Sequence, residues 1–163
     1  MNEIVATPQT FDELRTIVKS EASVLPVGNR TKQPLATDQK ARLVSLRDMK
    51  GILEYEPSEF TFTAYAGTTI KEVNQALQQR QQYLPFDPML IAAGATLGGS
   101  VGAGLSGPGR FRYGGLRDFV LGVKFLSGDG EVINSGGKVV KNAAGFDIPK
   151  LLTGSMGRLG VIV

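Results

Sequence analysis

The chain has 163 residues, 42% hydrophobic and 20% charged, a balance that suits one folded domain with a core and excludes a disordered chain. Its net charge of +3 would help to hold an anionic ligand without implying nucleic acid or a membrane surface. Cysteine and histidine are both absent, so disulfides, thiolate chemistry, iron–sulfur ligation, imidazole bases and a histidyl or cysteinyl cofactor link are excluded within it.

The first residues, Met1 to Thr7, lack the basic-then-apolar layout of a signal peptide, and no apolar run is long enough to span a bilayer. A cytoplasmic location is the expectation. Residues 4–6 suit a first strand. Thr10-Phe11-Asp12-Glu13 has the form of a capping box, and Phe11, Leu14, Ile17 and Val18 recur at helical spacing, which predicts a helix from Thr10 to about Glu21. Ser23–Val27 reads as a buried strand that runs into the turn Gly28-Asn29-Arg30-Thr31-Lys32. Strands are expected at 43–46, within 49–55 and at 60–65. A second capping box, Thr69 to Glu72, opens a helix with Ile70, Val73 and Leu77 on one face. A boundary between two small lobes is expected near Pro57-Ser58.

From Ala93 to Gly115 the chain carries glycine at 94, 98, 99, 102, 104, 107, 109, 114 and 115, interleaved with Leu97, Val101, Leu105, Phe111 and Tyr113. A flexible linker would lack those apolar residues. The stretch is expected to be an ordered, tightly turned loop against which something flat or extended lies. Phe119–Leu126 reads as a continuous apolar strand, Ser127-Gly128-Asp129-Gly130 as a hairpin turn and Glu131–Asn134 as its return. A short helix is expected over 142–152 and a final strand over 159–163. Because the chain stops within that strand, it is expected to be part of a longer protein.

Several motifs admit more than one reading. Gly102-Ala103-Gly104-Leu105-Ser106-Gly107 fits Gly-x-Gly-x-x-Gly, but Pro108 and Gly109 would stop the helix that a dinucleotide fingerprint opens. Gly137-Lys138 is followed by Val139, where a P-loop needs serine or threonine. Gly28–Lys32 is either a plain surface turn or a nest of N–H groups, aided by Arg30 and Lys32, around a diphosphate. Arg110–Gly115 is either a solvated loop or a basic–aromatic platform for single-stranded nucleic acid, without a wider basic stripe to support it.

Taken together, the segments Pro26–Thr31, Ala95–Val101, Tyr113–Gly122, Lys141–Asp147 and Gly154–Ile162 resemble the FAD-binding domain of the vanillyl-alcohol oxidase / p-cresol methylhydroxylase (PCMH) family. Within it, Gly104–Pro108, Arg117-Asp118 and Gly136–Asn142 resemble the E-type FAD-binding subunits of bacterial glycolate oxidases. The resemblance implies an α+β, two-lobed domain. A small βαβ N-terminal lobe, residues 1–57, would carry the diphosphate loop. A larger lobe of mixed or antiparallel sheet with helices, residues 58–163, would be incomplete, with a substrate or cap domain following Val163.

The resemblance also implies FAD contacts, largely through main chain. They would come from Gly28, Asn29, Arg30, Thr31 and Lys32, and from Gly94, Thr96, Leu97, Gly98, Gly99, Ser100 and Gly102. Asp118 would add to them, as would Gly157, Gly160, Val161 and Ile162. FAD would be bound non-covalently unless a tyrosine is used. The implied activity is that of the FAD-binding portion of a 2-hydroxy-acid dehydrogenase or oxidase, in which the flavin takes hydride from the α-carbon while a base removes the hydroxyl proton. That base would lie in the remainder of the protein or in a partner, so no catalytic residue and no metal ligand is expected here. Expected partners are a catalytic flavoprotein subunit and an iron–sulfur subunit, with no nucleic acid and no transmembrane segment. The alternative is a non-catalytic FAD-binding subunit that holds a catalytic partner.

Overall fold

The computed structural model describes residues 5–32, 40–138 and 146–163. Helix α1 (Phe11–Ser20) starts where the Thr10 hydroxyl accepts the Glu13 N–H at 3.2 Å, and buries Leu14 and Val18, one turn apart. The expected capping box closes on one side only, because the Glu13 carboxylate reaches past Thr10 to accept the Gln9 N–H at 2.9 Å. The expected strand at 4–6 reduces to a single parallel bridge from Ala6 to Val44, with residue 4 outside the described residues. Strands β1 (Val24–Val27) and β2 (Arg42–Ser45) pair in parallel, Val24 opposite Arg42 and Val27 opposite Ser45.

Strands β3 (Ile52–Glu56) and β4 (Thr61–Ala64) form an antiparallel pair joined by a 3-10 turn at Pro57–Glu59. Helix α2 (Ile70–Gln78) has the complete capping box between Thr69 and Glu72 and buries Ile70, Val73 and Leu77, as its spacing predicts.

The glycine-rich stretch departs from expectation. Part of it is a helix, α3 (Leu97–Ala103), capped by Thr96, rather than loop. Glycine disfavours helix, but the first turn is anchored from outside: Leu97 N–H donates to Thr68 O at 2.7 Å and Gly98 N–H to Ala66 O at 2.8 Å. Two helical turns follow, α4 (Arg110–Tyr113) and α5 (Leu116–Phe119). The arginines of α4 sit over their own neighbours' rings, Arg110 5.8 Å from the Phe111 centroid and Arg112 5.3 Å from that of Tyr113.

The apolar run from Phe119 is not all strand. Phe119 is the last residue of α5, which is held by Gly115 N–H to the Asp118 carboxylate at 2.8 Å and Leu116 N–H to Ser106 Oγ at 2.9 Å, and Val120 is its extended C-cap. Strand β5 therefore spans only Gly122–Leu126. The Asp129-Gly130 turn returns it to β6 (Val132–Gly136), two residues longer at its end than expected. Helix α6 covers Ile148–Leu152; the earlier part of the predicted helix, 142–145, lies outside the described residues. The last strand, β7, is Val161–Ile162 and pairs antiparallel with β5.

The main core gathers Leu14 and Val18 of α1, Val44 of β2, Met49, Leu126 of β5 and Val161 of β7, with Leu46 and Ala66 beside the cleft described next. A smaller cluster of Phe86, Val101 and Leu116 holds α3 against α5.

Candidate functional site

Three segments meet where β1 leaves its sheet. The first is the bend 28–32. Gly28 passes so close to Thr96 that a Cβ there would overlap the threonine hydroxyl and stand 3.1 Å from Thr96 Cβ and Cγ2. Only glycine allows that approach. Asn29 Nδ2 then donates to the Gly94 carbonyl at 2.9 Å, tying the bend to the segment that leads into α3. The third segment is the turn after α6, where Gly154 N–H donates to Val101 O at 2.9 Å and Met156 N–H to Gly102 O at 2.8 Å. Gly157, at φ +76°, closes this turn against β1: a Cβ on it would stand 2.6 Å from Pro26 Cγ. The bends at 28–32 and 94–102 thus converge, and 156–162 joins them.

The cleft between these segments is lined by Gly28, Asn29, Arg30, Thr31 and Lys32 of the bend. Thr96, Gly98, Gly99 and Gly102 line it from α3 and its cap, and Gly157, Gly160 and Ile162 from the closing turn and β7. Five other expected residues lie outside the lining. Gly94 contributes its carbonyl to Asn29, and Leu97 faces the neighbouring groove. Ser100 is 2% exposed, and its Oγ is buried without a partner among the described residues. Asp118 caps α5, and Val161 belongs to the main core.

Sequence reasoning did not single out Leu25, Leu46, Ala66 or Ala103, which also line the cleft, as do Pro26, Val27 and Met156. Pro26 and Val27 stood in the quoted bend motif, and Met156 in the Gly-Ser-Met-Gly turn. Leu46 and Ala66 gave no signal, because an apolar residue after a strand looks the same whether it faces a core or a cleft.

The electrostatics of the cleft come from the bend. The first N–H groups of α3 are already used: besides Leu97 and Gly98, Gly99 donates to Thr96 Oγ1 at 3.2 Å and Ser100 to Thr96 O at 2.9 Å. Helix α3 therefore offers close packing rather than donors. The N–H groups of Asn29, Thr31, Lys32 and Gly157 have no protein acceptor among the described residues. Arg30 sits in the left-handed region at φ +54°. Lys32 has its pKa lowered by desolvation, so a nearby anion would offset the cost of keeping that ammonium charged.

Main-chain donors, two cations and an apolar strip from β1 suit an elongated anionic ligand with an apolar part, as a dinucleotide is. Among the described lining residues there is no carboxylate to act as a base.

The family model for the FAD binding domain matches residues 3–136. Glycolate oxidase subunit GlcE of Escherichia coli (strain K12) is 35% identical over 152 residues, covering 93% of this chain and 43% of that protein. A D-2-hydroxyglutarate dehydrogenase of Xanthomonas citri pv. viticola is 29% identical over 165 residues, covering 98% of this chain and 35% of its own. The chain spans less than half the length of these curated relatives. Among solved structures, an alkyldihydroxyacetonephosphate synthase matches with a TM-score of 0.76 at 22% identity, over 97% of this chain and 30% of that one, a likeness of fold. The α+β architecture expected from the sequence is the one found, and with the model matched over most of its length the chain belongs to the FAD binding domain family.

Proposed function

We propose that the chain is the FAD-binding portion of a flavin-dependent 2-hydroxy-acid dehydrogenase or oxidase of the glycolate oxidase E-subunit type. One observation carries this reading: the bends at 28–32 and 94–102 converge on a single cleft, joined by the Asn29–Gly94 hydrogen bond and by the contact of Gly28 with Thr96. The residues present fit the cofactor. N–H groups without protein acceptors among the described residues and the cations Arg30 and Lys32 suit its diphosphate, and the glycines of α3 let an extended ligand lie close. Without histidine or cysteine the chain can form no histidyl or cysteinyl link to it, and non-covalent binding, unless a tyrosine is used, is part of the proposal.

When bound, FAD supplies two-electron redox chemistry. The chain's part is to bind and orient it; with no carboxylate, imidazole or thiol among the described lining residues, proton removal from substrate is assigned to the remainder of the protein or to a partner. The substrate class rests on the relatives, since glycolate and D-2-hydroxyglutarate are both 2-hydroxy acids. A catalytic flavoprotein subunit and an iron–sulfur subunit belong to the same proposal, as does a cytoplasmic site with membrane association only through partners. Among the described residues no helix is long and apolar enough to cross a membrane. The division at residue 57 enters the proposal as an allocation of one bend to each half. The shared core and the β3–β4 pair that straddles Pro57 argue that the halves fold together.

The test is titration of the chain with FAD, followed by flavin fluorescence, with ADP as competitor for the diphosphate end. Saturable binding that ADP weakens is expected; a chain that takes up no FAD refutes the proposal. The lack of a carboxylate, imidazole or thiol among the described lining residues also favours a second reading, a non-catalytic subunit that binds FAD and holds a catalytic partner. Anaerobic mixing of the FAD-loaded chain and its assembled complex with glycolate or D-lactate separates the two. Bleaching of this chain's flavin in the complex supports the enzyme reading, and a flavin that stays oxidised there supports the assembly role.

A further inference from the structure

One residue of the cleft does nothing for a diphosphate. Among the described residues, Arg30 and Met156 are the non-glycine members of the lining in the left-handed region, at φ +54° and +55°. Arg30 brings a cation to the bend. Met156 brings no charge, and its N–H is already given to Gly102 O at 2.8 Å. The turn around it uses glycine where the backbone is left-handed, at Gly154 (φ +83°) and Gly157 (φ +76°). At 156 the same conformation carries a long side chain, which costs a non-glycine residue stability. Core packing does not offset that cost, because Met156 belongs to neither hydrophobic cluster. It lines the cleft instead, as do the apolar Leu25, Pro26, Val27 and Ile162.

A thioether is soft and polarisable, and it packs well against the edge of an aromatic ring. It is also open to a mild oxidant, which converts it from a flexible apolar group into a polar, chiral sulfoxide. Position separates the methionines of this chain. Met49 is 6% exposed and lies in the core, while Met89 is 42% exposed and lies outside the lining of the cleft. Met156 is partly exposed and lies within that lining, and Met1 falls outside the described residues. Among the described methionines, Met156 is therefore the one that an oxidant can reach and whose oxidation changes the cleft.

We propose that Met156 packs its thioether against a ring of the bound dinucleotide, and that oxidation of this residue by hydrogen peroxide weakens cofactor binding. In that step the sulfur takes one oxygen from the peroxide as the O–O bond breaks, and the other oxygen leaves as water with both protons. The sulfur gives up an electron pair and the peroxide accepts it, so no further reactant enters. Sulfoxide reductases return the thioether, which makes the change reversible. The inference rests on the reading of the cleft as a FAD site and assigns to it a residue and a modification.

The test treats the chain with hydrogen peroxide, with and without saturating FAD, and follows sulfoxide at each methionine by peptide mass spectrometry. FAD is expected to slow oxidation of Met156 by about tenfold and to leave Met89 unaffected. After the peroxide is removed, FAD affinity by flavin fluorescence is expected to be about tenfold weaker in the parent chain and in M89L. M156Q, which puts a polar group at the same place, is expected to bind weakly without treatment. M156L is expected to hold its own starting affinity through the treatment, whatever that value is. Equal oxidation of Met156 with and without FAD overturns the inference, as does an affinity in the parent chain that survives complete oxidation of Met156. An equal loss in M156L and the parent overturns it too, because the sensitive group then lies elsewhere. A chain that takes up no FAD before treatment refutes the cofactor reading itself, whereas a chain that binds FAD and fails these tests overturns only the role of Met156.

Discussion

Gly28→Ala places a methyl group where the Thr96 hydroxyl stands. Thr96 is 2% exposed and caps α3 by accepting the Gly99 N–H at 3.2 Å, so it cannot move aside without consequence. If its side chain rotates, the cap is lost at about 1 kcal/mol. If the bend and α3 separate instead, overpacking costs about 1–3 kcal/mol. Gly28 lies outside the left-handed region, so alanine regains about 0.4–1 kcal/mol by restricting the unfolded chain. The net expectation is a loss of about 1 kcal/mol, or roughly 2–4 °C in Tm for a domain of this size. Urea unfolding of G28A, T96A and the double variant checks it. Removing the Thr96 side chain makes room for the new methyl, so the double variant should be more stable than the sum of the singles predicts by about 1 kcal/mol. FAD affinity of G28A should fall with the displaced bend. A G28A chain within about 0.5 kcal/mol of the parent, or strict additivity, would show that the contact does not constrain the bend.

Asn29→Ala removes the exposed bond to Gly94, so stability should drop by only about 1 kcal/mol while FAD affinity falls several-fold; unchanged affinity by fluorescence titration would deny Asn29 a role in holding the bends together. Asp118→Ala should do the reverse, lowering stability by about 1 kcal/mol through loss of the α5 cap and leaving FAD affinity intact, and a weakened affinity would place Asp118 at the cofactor after all. Ser100→Ala removes a buried hydroxyl with no partner among the described residues and should stabilise by about 1 kcal/mol in thermal unfolding, whereas a clear destabilisation would reveal a partner for it. The Glu72 carboxyl is held below its usual range, first by the Thr69 hydroxyl at 2.6 Å, then by the Thr69 N–H, with burial opposing and Lys50 assisting. Its folded pKa is depressed, so its contribution is complete at neutral pH and lost as pH falls from the ordinary glutamate value of about 4.3 through the folded one. E72Q should lose that part of the acid sensitivity; superimposable acid-unfolding curves for the two chains would refute the assignment.

Much of this protein was legible because its signals act within four residues. Thr10, the Thr69–Glu72 box and Asp129-Gly130 fixed two helix starts and one hairpin from the chain alone, since each partner lies within one turn of the other. The bend at 28–32 was legible only as a turn at a strand exit, because a plain surface turn and a nest of N–H groups have the same local sequence. Tertiary structure decided what depends on distant partners. Glycine content argued against helix at 97–103, and the carbonyls of Ala66 and Thr68 overruled it. The apolar run 119–126 could not show that Phe119 ends a helical turn and that the strand starts only at Gly122, because burial alone does not distinguish the two. Above all, the sequence named two bends but could not bring them together. That required the Gly28–Thr96 contact and the Asn29–Gly94 bond across 65 residues, and a pairing at that separation leaves no local pattern because its partners meet only after the core has closed.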